Sequence, residues 1–108
     1  MPIYNKLVRD KIPEIIGRSG KELKVKILTN DDYIKELQQK SFEELKEYIA
    51  AEDRKSSLEE LADLLEIIHS LAQYHDTTID EIEKIRRRKE IERGGFKEKI
   101  YLIEVEDE

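Results

Sequence analysis

The sequence predicts a mainly α-helical domain: an antiparallel helical bundle completed by oligomerisation, to which a small two-stranded β element can be added. Three observations support this prediction. Helix-capping patterns open three long segments, apolar residues recur at helical spacing, and one segment, residues 57–75, is apolar around more than half of its circumference. The length of 108 residues allows a single domain, residues 1–108, with one modest core.

The chain begins with a short helix followed by a strand. Asp10 is the expected N-cap of this helix, Pro13 is tolerated in its first turn, and Gly20 is its expected stop. The segment LKVKILT, residues 23–29, alternates apolar and polar residues and predicts a short strand.

Three longer segments have a helical pattern, and each opens with Ser or Thr followed three residues later by an acidic residue. They span residues 29–53, 57–75 and 76–95, with caps expected at Thr29, Ser57 and Thr78. Gly94 and Gly95 are expected to end the last of these helices. The segment KIYLIEV, residues 99–105, alternates as the first strand does and could pair with it.

The segment 57–75 should be central and buried on several sides, because apolar residues surround most of it. A chain of this length cannot cover such a helix alone. A homodimer whose central helices form a four-helix bundle is the simplest solution, with a dimer of dimers as the larger alternative.

Composition narrows the classes of function. The formal net charge of -6 argues against general nucleic-acid binding, which requires a positive surface. The absence of cysteine excludes disulfides, thiolate metal sites and cysteine nucleophiles. No segment resembles a signal peptide, and no apolar run approaches the roughly 20 residues of a membrane span, so we expect a cytoplasmic protein without membrane partners.

Two pairs of acidic residues are spaced three apart within apolar stretches. Glu44 and Glu47 belong to EELKEYI, and Glu60 and Asp63 belong to EELADLLEII. With 26 acidic residues in the chain, one such pair is usually a chance match on a solvated face. Here, however, Glu44 falls inside the apolar stripe of its helix, and Glu60 projects among the apolar residues of the next.

A short turn joins these two helices, so they should pack antiparallel with the acidic faces toward each other. Four converging carboxylates would repel one another and lose hydration unless a cation offset their charge. Oxygen ligands without His or Cys favour magnesium, with manganese as an alternative, and magnesium in proteins also takes water and phosphate oxygens as ligands. The pattern therefore predicts metal-assisted hydrolysis of a phosphoanhydride.

At these residues the chain resembles a known superfamily. EELKE, residues 43–47, followed after a short turn by ELAD, residues 60–63, is similar to the paired signature of the all-α nucleoside triphosphate pyrophosphohydrolases. This group includes MazG-like proteins, dimeric dUTPases and phosphoribosyl-ATP pyrophosphohydrolases. The stretches YNKLVRDKIPEII and KEIERGGF are similar to a small subgroup labelled phosphoribosyl-ATP pyrophosphohydrolase-like, so the resemblance covers nearly the whole chain.

The resemblance implies an activity and a ligand set. The reaction would cleave a nucleoside triphosphate between its α and β phosphates, giving a nucleoside monophosphate and pyrophosphate. The residues that would bind magnesium are Glu44, Glu47, Glu60 and Asp63. Water would be the nucleophile, and Glu44 or Glu47 would position or deprotonate it.

A triphosphate also needs cationic partners from the protein. We expect Arg9, Lys89 and Arg93 to contact phosphates, and Arg93 in particular because bare backbone at the glycine pair that follows it can approach a ligand. Residues 86–88, three consecutive arginines, are interpreted instead as complementing the dipole at the end of their helix.

The sequence thus predicts a magnesium-dependent nucleotide pyrophosphohydrolase that removes unwanted nucleotides. Two alternatives remain open. The substrate could be phosphoribosyl-ATP in histidine biosynthesis, or the chain could be a helical interaction module that has kept the fold without catalysis.

Overall fold

The computed structural model describes residues 2–107, and four helices form its regular structure. They are α1 (Ile12–Arg18), α2 (Asn30–Ala50), α3 (Arg54–Tyr74) and α4 (Ile79–Arg93). The prediction of a mainly helical fold is confirmed. None of the helices in the described part of the chain has both the length and the apolar character needed to cross a membrane.

The α2–α3 hairpin is the centre of the structure. Each of the two helices has 21 residues, and because residues 51–53 join them directly, they pack side by side in antiparallel directions. Tyr33 near the start of α2 meets Tyr74 at the end of α3, with ring centroids 6.4 Å apart. Their closest packing buries Leu37 on α2 together with Ile67 and Ala72 on α3. Helix α4 packs less extensively, against α3.

Two of the four predicted capping sites are confirmed. The Thr29 hydroxyl accepts the backbone N–H of Asp32 at 3.2 Å, and the Thr78 hydroxyl accepts that of Glu81 at 3.4 Å. The predicted stop of α4 is also confirmed: Gly94 has φ +80°, and its N–H donates to the carbonyl of Glu90. Local hydrogen-bonding chemistry sets these helix ends.

The other two predicted caps are wrong. Helix α3 begins one turn before Ser57, because the Asp53 carboxylate accepts the N–H of Ser56 at 2.7 Å. A carboxylate at this position also interacts favourably with the helix dipole, and this hydrogen bond keeps the pKa of Asp53 below its usual value. Asp10 lies in a turn closed by the N–H of Ile12 and the carbonyl of Arg9, so α1 starts after Lys11 without a side-chain cap.

Both predicted strands are wrong for the isolated chain. No strand forms between residues 2 and 107, and residues 23–29 and 100–107 have no regular secondary structure. Lys99 has φ +59° and closes a turn by donating its N–H to the carbonyl of Phe96, so a strand cannot begin there. Alternation favours an extended backbone, but a strand also needs a partner edge for its hydrogen bonds, and neither segment has one here.

Much of the apolar surface remains uncovered. As the sequence predicts, one chain does not cover α3, because only α2 and part of α4 lie against it in the described residues. Exposed apolar side chains follow both helices of the hairpin: Phe42, Leu45 and Ile49 on α2, and Leu58, Leu61 and Leu65 on α3. The accessible area of 10537 Å² compares with about 6300 Å² for a compact monomer of this mass.

We therefore expect the protein to be at least a dimer in solution. The radius of gyration of one chain is 18.7 Å, against about 13 Å for a compact domain of this length. The chain is therefore extended, and association with a second chain can bury its exposed apolar surface. Multi-angle light scattering at micromolar concentration measures the mass directly. A sharp monomer peak at 12.8 kDa would contradict this prediction.

Candidate metal centre

Three glutamates from the α2–α3 hairpin converge at one point. Glu44 and Glu47 lie on adjacent turns of α2, and Glu60 faces them from α3. One carboxylate oxygen from each of the three lies within 4.8 Å of the others. The antiparallel direction of the hairpin makes this possible, because it brings the second half of α2 beside the first half of α3.

Glu44 is the unusual member of this group. It is 8% exposed, which makes it the one charged residue buried in the described chain, and its Oε2 atom has no hydrogen-bond partner. Glu60 Oε2 is likewise buried without a partner. A buried carboxylate oxygen without a donor is unfavourable, so these two atoms are positions that a proton or a cation could satisfy.

The electrostatics of the cluster follow from this burial. Desolvation and the neighbouring carboxyl groups of Glu60 and Glu47 raise the pKa of Glu44 from 4.5 to about 7. Glu47 raises the pKa of Glu60, while Glu44 acts in the opposite direction. Burial and the crowding of negative charge therefore favour a proton on this cluster when no other cation is present.

The fourth predicted ligand, Asp63, has a different partner. Its Oδ1 atom accepts a hydrogen bond from Arg9 Nη2 at 2.7 Å, across 54 positions of sequence. The structure thus gathers three of the four predicted carboxylates into one group and pairs the fourth with an arginine. This ion pair was not predicted, because nothing in local spacing connects a residue before α1 to α3.

Lys40 is a second cation that sequence reasoning missed. Its Nζ atom lies 4.0 Å from Glu44 Oε1, one helical turn earlier on α2. At that distance it offsets part of the negative charge without making a hydrogen bond. The spacing of four residues between Lys40 and Glu44 was the available signal.

The predicted phosphate contacts on α4 remain separate from the cluster. No hydrogen bond or ion pair within residues 2–107 joins Lys89 or Arg93 to the three glutamates. The expected dipole role of residues 86–88 is wrong, because they lie inside α4 and Arg86 is paired with Glu83 and Glu90 on the same helix. The residue in the last turn of α4 is Arg93 itself.

The chemistry of the donor set fits a hard divalent cation. Glu44, Glu47 and Glu60 supply carboxylate oxygens at close range, and two of these oxygens are buried without partners. Oxygen-only sites favour magnesium or manganese over softer metals. An open groove of about 500 Å³ lies elsewhere, between the start of α2 and the end of α3, and it contains none of these carboxylates.

Comparison with known proteins gives little further information. No protein-family model matches the chain. Over 53 residues the chain is 43% identical to an uncharacterized protein of Mycolicibacterium smegmatis, a match that covers 49% of this chain and 54% of that protein. The chain therefore spans about half the length of that relative. No solved structure matches.

Removal of the Glu44 charge should stabilise the metal-free protein at alkaline pH. A raised pKa means that this residue contributes stability below its unfolded value of 4.5, and that the contribution is lost as pH rises through about 7. In EDTA, Glu44→Gln should therefore unfold at higher denaturant concentration than wild type at pH 8, by on the order of 1–3 kcal/mol, and the gain should shrink at pH 4.5. A variant that is less stable at pH 8 would contradict the burial of this charge.

Arg9 and a metal ion should compete for Asp63. In the structure the arginine already neutralises this carboxylate, so Arg9→Gln should bind Mn²⁺ more tightly than wild type, by up to about fivefold for an exposed pair. Isothermal titration at low ionic strength gives the affinity. The matched control is Arg18→Gln, which removes a similar exposed pair with Glu14 in α1 and should leave the affinity unchanged. Equal or weaker binding by Arg9→Gln would show that the two cations do not compete.

Proposed function

We propose that this protein is a magnesium-dependent nucleoside triphosphate pyrophosphohydrolase that cleaves the bond between the α and β phosphates. The products are a nucleoside monophosphate and pyrophosphate, and the role is the removal of unwanted nucleotides. The observation on which this proposal depends is the convergence of Glu44, Glu47 and Glu60, with two buried oxygens that have no partner. The resemblance of EELKE and ELAD to the all-α pyrophosphohydrolases points to the same residues.

The three glutamates would hold the metal, and Asp63 would complete the ligand set when Arg9 is released. Magnesium held by these residues would neutralise phosphate charge and help to activate a water molecule. Glu44 lies deepest and would fix the position of the set, because the helices around it are packed. Glu47 is exposed and would be able to contact a water molecule from solvent.

Hydrolysis consumes one water and breaks one phosphoanhydride bond. Glu44 or Glu47 would orient this water and accept its proton, and no covalent intermediate with the protein is needed. Of the two, the residue that ligates the metal less closely would be the better base, because a bound cation lowers the pKa of a carboxylate that ligates it.

Positive side chains would hold the remaining phosphate charge. Arg9 is best placed, since its pairing with Asp63 keeps its guanidinium beside the carboxylates. Lys89 and Arg93 are on α4 and would contribute from there. The proposed homodimer, or dimer of dimers, would cover the exposed faces of α2 and α3 that border this site.

The decisive experiment is pyrophosphate release from a panel of nucleotides with magnesium. The panel includes the standard and non-standard triphosphates and phosphoribosyl-ATP. Wild type should release pyrophosphate, and Glu60→Gln should abolish release while keeping its helical circular dichroism, because it removes one ligand oxygen from an otherwise intact cluster. Asp63→Asn should behave in the same way.

The two alternatives give different results in the same assay. Preference for phosphoribosyl-ATP, together with a histidine requirement after gene deletion, would assign the protein to histidine biosynthesis. A wild-type protein that binds Mn²⁺ but releases no pyrophosphate from any nucleotide would be an interaction module. Near-normal turnover by Glu60→Gln would rule out the metal centre as described.

Arg93→Ala should weaken substrate binding without changing metal affinity. Each charge-assisted hydrogen bond is worth about 1.5–3 kcal/mol, so kcat/KM should fall on the order of tenfold or more. Arg87→Ala is the control on the same helix and should have little effect. Equal losses in both variants would show that the basic residues of α4 act together, and no loss in either would leave phosphate binding to Arg9 and the metal.

A further inference from the structure

Two segments outside the helices share an unusual combination of properties. Residues 23–28 precede α2, and residues 102–106 lie near the end of the chain; both are rich in large apolar residues and neither has regular structure. Ile27 is 95% exposed and Ile103 is 86% exposed. Within the described chain, neither segment makes a backbone hydrogen bond to any other part of the protein. Isolated apolar side chains are common on protein surfaces, but two alternating runs with free backbone edges are characteristic of unpaired strands.

The charges of the two segments are complementary. The first contains Lys24 and Lys26, and the second contains Glu104 and Glu106. In each segment the charged residues alternate with aliphatic residues. In a strand, the charges would lie on one face together with Leu28 or Leu102, and the other aliphatic side chains would lie on the opposite face.

One antiparallel register satisfies both faces at once. The directly opposed pairs in this register are Val25 with Val105, Ile27 with Ile103, Lys24 with Glu106, and Lys26 with Glu104. Opposite charges and β-branched pairs across a strand pair each contribute roughly 0.2–1 kcal/mol. A slip by one residue would place lysine opposite isoleucine or valine and would move the apolar residues to the wrong face.

We propose that residues 102–106 of one chain pair as an antiparallel strand with residues 23–28 of a second copy. Within one chain the two segments do not pair. A twofold dimer makes the contact twice, so that both copies of each segment are paired and the assembly closes at two chains. The accessible area of one chain is larger than that of a compact monomer of the same mass. The difference is more than enough surface to form a specific interface that includes this strand pair.

The chain has no cysteine, so disulfide trapping can test this contact without background. Ile27→Cys and Ile103→Cys chains are mixed, allowed to exchange, and oxidised. Opposed residues in an antiparallel pair lie within disulfide range, so the mixed dimer should form with on the order of tenfold higher yield than from Lys26→Cys with Ile103→Cys, whose side chains would point to opposite faces. Equal yields, or no mixed dimer, would overturn the proposal.

A double variant with both Ile27→Cys and Ile103→Cys distinguishes a second copy from the same chain. Dilute oxidation should give a covalent dimer on a non-reducing gel. A bridged monomer would show that the pairing is intramolecular and would overturn the assignment to a second copy. Both positions lie outside the helices, so neither substitution should change the helical content. Circular dichroism checks this for each variant.

Charge exchange provides a second measurement. Lys24→Glu with Lys26→Glu should raise the dissociation constant of the dimer on the order of tenfold or more, because like charges then face each other in both symmetric contacts. Adding Glu104→Lys and Glu106→Lys to the same chain should return the dissociation constant to its wild-type value. Failure of this restoration would contradict the register. None of these readouts depends on hydrolysis, so the result stands apart from the proposed enzymatic function.

Discussion

The burial of the Glu44 carboxylate between two packed helices is the constraint on which the candidate site depends. Packing of α2 on α3 removes water from this group, while Glu47 and Glu60 bring further negative charge within a few ångströms. Such an arrangement is unfavourable in isolation, because desolvation and repulsion both oppose ionisation. A proton relieves it partly and a divalent cation would relieve it more fully. The fold therefore stores an electrostatic cost that a ligand can offset.

Arg9 extends this site beyond the helical hairpin. It lies before α1, yet its guanidinium reaches Asp63 on α3 and so ties the start of the chain to the carboxylates. An arginine can change partners between a carboxylate and a phosphate with the same planar donors. In the function proposed above, this pairing links the occupancy of the metal centre to the availability of a cation for the substrate.

One chain leaves a large apolar surface exposed. Phe42, Leu45 and Ile49 on α2, and Leu58, Leu61 and Leu65 on α3, remain exposed to solvent in the described residues. The apolar surface lies on the same helices as the carboxylates. A second chain packed there would exclude water from the neighbourhood of the site, and electrostatic interactions strengthen where water is excluded. In the proposed function, assembly and chemistry would therefore be coupled through the same two helices.

The sequence by itself determined the helical class, two caps and the end of α4, because these depend on interactions within a few residues. It also predicted that the carboxylates of Glu44, Glu47 and Glu60 lie close together, since apolar periodicity places them beside the core. Tertiary structure decided the rest. Asp53 displaced Ser57 as the cap of α3, and Asp63 paired with a residue 54 positions away, because such contacts depend on which atoms the fold brings together. The alternating segments did not become strands for the same reason: alternation sets a preference for extended backbone, but only a neighbouring edge can supply the hydrogen bonds.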